Sequence, residues 1–178
     1  MIFADRIDAG ERLAKGLAHL AGSDCVVLAI PRGGVIVGEV IARELGAPLD
    51  VVVPRKIGAP GNPELAIGAV APGIRVLDPR MVGALGVTDR YLEREIAEQE
   101  AEIERRQRAY RGGRPPQPVE GRVAIVVDDG VATGSTAVAA LRWARARGAA
   151  EPDAAEQVAQ RGAGPRSVGR HGGDHVQP

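Results

Sequence analysis

Short apolar runs of strand length alternate with segments of helical periodicity along the first 150 residues. A first helix is predicted from Asp8 to about His19, because Asp8 and Glu11 have the spacing of a capping box. Further along, the same patterns predict strands at Val26–Ile30, Leu49–Val53 and Ala124–Val127, and helices at Val35–Leu45 and Gly134–Arg147.

The middle of the chain follows a different pattern. The Gly- and Pro-rich stretch Arg55–Pro63 predicts a loop, and Ile57–Glu64 has the composition of a mobile flap. Leu65–Val70 and Arg75–Leu77 flank a turn and predict a small hairpin. Thr88 is predicted to cap a long helix to about Tyr110, whose apolar positions are sparse, so we expect a solvated helix on the surface.

The alternation of strand, helix and strand favours an α/β fold. Continuously apolar strands are typical of a parallel sheet that is covered on both faces, so we expect a doubly wound, mostly parallel sheet with helices on both faces. Residues 1–150 are predicted to form one domain. Residues 151–178 have no Leu, Ile or Phe and no periodicity, which predicts a disordered or non-native tail in place of further strands.

Composition narrows the class of protein. Apolar residues make up 44% of the chain but aromatic residues only 2%, so the core must consist of Val, Ile, Leu and Ala. A formal net charge of zero does not favour a nucleic-acid or membrane partner. The single cysteine, Cys25, precludes an intrachain disulfide and is expected to be a buried apolar residue. With no apolar run of signal or spanning length, we expect a cytoplasmic protein.

One strand-to-helix corner carries the clearest chemistry. The apolar run Ala124–Val127 stops at Asp128 and Asp129, and after a short loop Thr133-Gly134-Ser135-Thr136 opens a helix. A helix N-terminus offers unpaired N–H groups to a phosphate, and the hydroxyls add donors. The adjacent carboxylates suit sugar hydroxyls or Mg²⁺. Paired acids at a strand end also occur in phosphatase-like and receiver folds, although a dehalogenase-type Asp-x-Asp is absent because position 130 is Gly.

A second strand-to-helix junction has the sequence Pro31-Arg32-Gly33-Gly34. By the same reasoning it favours an anion, and Arg32 adds a fork of donors. Taken alone, a junction with two glycines is common. The presence of the first corner makes an anion site here the better interpretation.

These segments resemble the type I phosphoribosyltransferases, which bind 5-phosphoribosyl 1-pyrophosphate (PRPP). The stretch from Ala124 to Thr136 fits the PRPP-binding pattern of that family without gaps. A bacterial group of predicted phosphoribosyltransferases carries Pro-Arg-Gly-Gly, Arg-Lys, Gly-Ala-Pro-Gly-Asn-Pro-Glu and Asp-Asp-Gly-x-Ala-Thr-Gly, and all four stand in this sequence within residues 1–150.

The resemblance implies a type I phosphoribosyltransferase-like fold and a set of roles. Asp128 and Asp129 would be the catalytic residues and would hold Mg²⁺, directly or indirectly. The 5-phosphate would bind at Ala132, Thr133, Gly134, Ser135 and Thr136, and the pyrophosphate at Arg32, Gly33, Arg55 and Lys56.

The implied reaction is transfer of 5-phosphoribosyl from PRPP to a nitrogenous base or amine, with release of pyrophosphate. Position 132, where some purine-salvage members carry an Asp, is Ala, so no general base is evident in this loop. The acceptor is not specified by the sequence, and a homodimer is one possible assembly. The alternative is a non-catalytic regulator that binds PRPP or a nucleotide on the same fold.

Overall fold

The computed structural model describes residues 3–130 and 134–150. Over these residues, helices and strands alternate along the chain much as the apolar pattern predicts. In chain order the elements are α1 (Arg6–Gly16), β1 (Cys25–Ala29), α2 (Gly33–Leu45), β2 (Leu49–Val51), β3 (Arg55–Ala59), β4 (Asn62–Ala71), β5 (Ile74–Leu77), α3 (Pro79–Ala84), α4 (Asp89–Arg111), β6 (Val123–Val127) and α5 (Ser135–Ala146).

The core of the fold is a parallel sheet in the order β2-β1-β6. Successive side chains of β1 point to opposite faces of this sheet. Val26 and Leu28 join a cluster with Trp143 of α5, whereas Val27 joins a second cluster with Ile41 of α2. The predicted α/β class, with a parallel sheet and helices on both faces, is therefore confirmed. Cys25 is buried in the second cluster, as expected of an apolar residue.

A second, antiparallel sheet has the order β3-β4-β5. The predicted hairpin corresponds to β4 and β5. The predicted loop at Arg55–Pro63 was wrong, because its first part is strand β3 and its end begins β4. The two-residue link Pro60-Gly61 joins them, with Gly61 at a φ of +74°. A Pro-Gly pair suits a tight turn, so the Gly- and Pro-rich composition here closes a hairpin. That this small hairpin acts as a flap stays a prediction.

Helix α4 covers one face of the antiparallel sheet. Leu92, Ile96 and Ile103 are buried against Ile57 and Ile67. The rest of the helix is mostly polar, and it carries the predicted i,i+4 ion pairs between Glu102 and Arg106 and between Glu104 and Arg108. The surface helix is thus confirmed, with a narrow apolar stripe anchoring it, and its N-cap is Thr88 as predicted.

The first helix begins earlier than predicted. Its N-cap is Asp5, whose carboxylate accepts hydrogen bonds from the N–H groups of Ile7 and Asp8. The capping box assigned to Asp8 was therefore wrong. Asp8 lies inside the first turn, where its carboxylate pairs with Arg12 and accepts the Ala4 N–H. The helix ends at Gly16, and a short 3-10 turn, Ala18–Leu20, follows.

Two further statements concern the extent of the described residues. Within residues 3–130 and 134–150, no helix has the length and apolar character needed to cross a bilayer. The predictions for Ala132, Thr133 and the tail from residue 151 lie outside the described residues.

Candidate functional site

The two predicted anion-binding segments leave the parallel sheet side by side. Strands β1 and β6 are neighbours, and their last residues, Ala29 and Val127, are paired in register. The Ile30 N–H then donates to the Val127 carbonyl oxygen at 2.8 Å. The Pro-Arg-Gly-Gly loop and the acidic pair therefore start from adjacent points on the carboxyl edge of the sheet, where ligands bind in open α/β folds.

Asp128 is the buried member of the acidic pair, with only 8% of its surface exposed. Its carboxylate accepts a hydrogen bond from the Asp129 N–H at 2.8 Å. Burial, and to a smaller extent the neighbouring charge of Asp129, raises the pKa of Asp128 above its usual value, while backbone hydrogen bonds oppose the shift. A carboxylate held in this way is costly to the folded chain, which is typical of a site shaped for a ligand.

Asp129 forms an ion pair that the sequence did not predict. The Nε and Nη2 atoms of Arg6 both donate to Oδ2 of Asp129, at 3.0 and 2.6 Å. Arg6 is the first residue of α1 and lies 123 positions away in the chain. No local pattern marks it, because an arginine in the first turn of a helix usually faces solvent.

The Pro-Arg-Gly-Gly loop lies directly against the acidic pair. A side-chain carbon added to Gly33 would overlap with the Asp129 carboxylate, and one added to Gly34 would lie 2.7 Å from the Val127 carbonyl oxygen. The two glycines thus allow the start of α2 to reach the end of β6. Arg32 is the N-cap residue of α2 and is exposed, and the peptide bond between Pro31 and Arg32 is cis.

The N-termini of α2 and α5 differ from those of the other α-helices in the described part of the chain. Side chains of Asp5, Asp78 and Thr88 cap α1, α3 and α4. In contrast, α2 and α5 have no side-chain cap, and the N-cap of α5 is Gly134 in the left-handed region at a φ of +79°. Both predicted anion sites therefore coincide with helix N-termini that lack a side-chain cap, and helix N-termini are a common place for anions to bind.

The remaining predicted residues take different positions. Ser135 and Thr136 form the first turn of α5 and are partly buried. The Nε of Arg55 donates to Oε1 of Gln99 on α4 at 2.9 Å, and Lys56, the next residue of β3, is exposed. Because neighbouring strand residues face opposite sides, these two cations point to different faces of the antiparallel sheet. Their role toward pyrophosphate stays a prediction.

The donor set of the site fits Mg²⁺. Within the described residues, no group of three or more His, Cys, Asp or Glu side chains is placed to hold a metal ion. Mg²⁺ usually keeps several waters and is held by one or two carboxylates together with substrate phosphates. Asp128 and Asp129, which follow β6 directly, would supply the two carboxylates.

Comparison with known proteins agrees with this arrangement. The family model described as "Phosphoribosyl transferase domain" matches residues 3–155. A curated protein of Mycobacterium tuberculosis strain H37Rv, named "Putative phosphoribosyl transferase", is 48% identical over 149 residues, which is 83% of this chain. Its counterpart in strain CDC 1551 matches equally well. The chain covers 34% of the length of these relatives.

A solved structure gives the same result for the fold. The crystal structure of TT1426 from Thermus thermophilus is similar with a TM-score of 0.68 and 48% identity, covering 84% of this chain and 71% of that one. The resemblance to phosphoribosyltransferases seen in the sequence is confirmed by the family match over most of the chain. The chain therefore belongs to the phosphoribosyl transferase family.

Proposed function

We propose that this protein binds PRPP with Mg²⁺ and transfers its 5-phosphoribosyl group to a nitrogen nucleophile, releasing pyrophosphate. One observation carries the proposal. The acidic pair at the end of β6 lies against the start of α2 at Gly33 and Gly34, and α5 begins at Gly134, a few residues further along the chain. PRPP has two anionic ends joined by a ribose, and this arrangement offers one anion site to each end and carboxylates to the sugar between them.

Each group has a role that follows from its chemistry. The N–H groups at the start of α5, with the hydroxyls of Ser135 and Thr136, would hold the 5-phosphate. The start of α2 and the exposed Arg32 would hold the pyrophosphate. Asp128 and Asp129 would accept hydrogen bonds from the ribose hydroxyls and stabilise the positive charge that develops on the ring as pyrophosphate departs.

The covalent change is simple. The bond between ribose C1 and the pyrophosphate oxygen breaks with its electron pair on oxygen, and the lone pair of the acceptor nitrogen forms the new bond to C1. A proton then passes from that nitrogen to solvent water. Bound Mg²⁺ would supply positive charge beside the pyrophosphate, with Asp128 and Asp129 as its protein ligands. The protein's own contribution is positioning and electrostatic stabilisation, and loss of one charged contact of this kind costs about 2–4 kcal/mol.

The acceptor class, a cytoplasmic location and a homodimer stay predictions from the sequence. The described aromatic rings are engaged within the protein: Trp143 is buried in the core, Tyr91 and Tyr110 pack against the cluster beneath α4, and Arg12 lies over the Phe3 ring. Small amines therefore belong in an acceptor screen beside nucleobases.

The experiment is a pyrophosphate-release screen with PRPP and Mg²⁺ across nucleobases and small amines, paired with PRPP binding by calorimetry. The test variant is Asp128→Asn/Asp129→Asn. The control is Glu104→Gln, which removes an exposed carboxylate that pairs with Arg108 on α4. We expect release by the wild type and the control but not by the double variant. PRPP binding without release for any acceptor would support the regulator alternative. No PRPP binding would refute the transferase, and the absence of nucleotide binding as well would refute the regulator.

A further inference from the structure

Arg6 lies in the candidate site, but the proposed reaction gives it no role. Its guanidinium donates twice to a single oxygen, Oδ2 of Asp129. The two side chains are 38% and 29% exposed. An ion pair this open to solvent contributes little net stability, so it can be exchanged at small cost.

The ion pair between Arg111 and Asp50 provides a contrast, because it is buried and structural. Arg111 and Asp50 are 15% and 6% exposed. The Asp50 carboxylate also accepts the N–H groups of Val51 and Gln117, so it is fixed from several sides. The Arg6 pair is more exposed and joins the start of α1 to a loop at the carboxyl edge of the sheet.

Arg6 also adjoins the predicted pyrophosphate loop. A carbon added to Gly33 would lie 2.8 Å from Nε of Arg6, beside its overlap with the Asp129 carboxylate. The guanidinium, the carboxylate and the loop therefore meet at one point. A guanidinium presents a planar fork of donors that matches phosphate oxygens as well as carboxylates.

We propose that Arg6 is a substrate-exchanged counter-ion: it holds Asp129 in the ligand-free protein and moves to the pyrophosphate when Mg²⁺ and PRPP bind. This inference rests on the proposed function. A divalent cation and a guanidinium compete for the same carboxylate oxygen, while the arriving pyrophosphate offers the guanidinium a more highly charged partner. The long, partly exposed side chain of Arg6 permits this movement without a change in α1.

The proposal predicts effects of opposite sign on two ligands. Without the guanidinium, Asp129 is open to a cation, so Arg6→Gln should bind Mn²⁺ alone about threefold more tightly. The same variant lacks a donor to the anion, so it should bind inorganic pyrophosphate in saturating Mg²⁺ about tenfold more weakly, as for the loss of one charge-assisted hydrogen bond. Arg6→Lys keeps the charge but loses the planar fork of donors, so both changes in affinity should have the same sign and be smaller.

The measurements use the full chain. Mn²⁺ binding is followed by the electron paramagnetic resonance signal of the free ion, and magnesium pyrophosphate binding by calorimetry. Arg12→Gln is the matched control, because the substitution removes the same charge from the same helix. Among the ion pairs described, Arg12 pairs only with Asp8. We expect both of its affinities to stay within about twofold of the wild type.

The outcomes separate the two proposals. If both affinities fall in Arg6→Gln and in Arg6→Lys, Arg6 merely supports the fold and the exchange is refuted. If the wild type binds magnesium pyrophosphate and PRPP but the Arg6 variants match it, the exchange is again refuted while the proposed function stands. If the wild type binds neither PRPP nor magnesium pyrophosphate, the proposed function fails and the exchange fails with it.

Discussion

Replacing Gly34 by alanine should destabilise the protein through the contact between α2 and β6. The new carbon would lie 2.7 Å from the Val127 carbonyl oxygen and 3.2 Å from the Asp128 Cα. Both are backbone atoms, so no side chain can turn aside. The Val127 oxygen also accepts the Ile30 N–H at 2.8 Å, and a shift that relieves the overlap weakens this hydrogen bond.

Three contributions set the expected change in the free energy of unfolding. Overpacking at a tight contact costs about 1–3 kcal/mol. A weakened backbone hydrogen bond costs up to about 0.5–1.5 kcal/mol. Alanine in place of glycine within a helix returns about 1 kcal/mol. The net loss in the free energy of unfolding should be about 0.5–3.5 kcal/mol.

Urea denaturation provides the assay, because the single tryptophan, Trp143, is buried between α5 and the sheets and reports on their separation. Gly83→Ala in α3 is the control, since no atom lies within 4 Å of its added carbon, and it should be neutral or stabilising by up to about 1 kcal/mol. A Gly34→Ala protein as stable as the wild type would show that α2 and β6 are not in such close contact.

Three further substitutions test separate parts of the structure. Gly33→Ala should lose less than about 1 kcal/mol of stability, because the overlapped atoms belong to side chains that can move. Its calorimetric affinity for magnesium pyrophosphate should nevertheless fall on the order of 10- to 100-fold, and unchanged affinity would contradict the placement of the loop. The pKa of Asp128 is raised in the folded chain, so stability falls as the pH rises from the usual value of 3.8 through the raised one. Asp128→Asn should therefore melt at a higher temperature than the wild type at pH 7 while losing PRPP binding, and a lower melting temperature would refute the burial argument. Ile103→Ala removes a buried contact of α4 and should cost about 2–5 kcal/mol in urea denaturation, whereas the exposed Leu85→Ala should change stability by under about 0.5 kcal/mol.

The part of the site that lies within one continuous segment could be predicted from the sequence. An apolar run that ends in two carboxylates, followed by Gly134 and a helical segment, specifies a buried strand, a turn and a helix start in that order. The structure has β6, the acidic pair and α5 at these positions. The same holds for α4, whose cap at Thr88 and sparse apolar stripe are local features.

The errors have a physical origin in competition between local signals. Asp5 and Asp8 both stand before the first apolar periodicity, and either could cap the helix. Asp5 does so because its carboxylate reaches two backbone N–H groups of the first turn. In the segment after β2, glycine and proline indicate a turn but not whether strands flank it, and here the pairing with β4 decides that they do.

By itself, the sequence determined the order of most elements, though not β3 or α3, together with the apolar faces that pack on the sheet and the chemistry of each strand-to-helix corner. It could do so because hydrophobic period and turn residues act over a few positions. Only the tertiary structure decided that β1 and β6 are neighbours and that Gly33 lies against Asp129. It also decided that Arg6, 123 positions away in the sequence, pairs with Asp129. Those contacts depend on how the sheet assembles, and no local pattern encodes which carboxylate a distant guanidinium will meet.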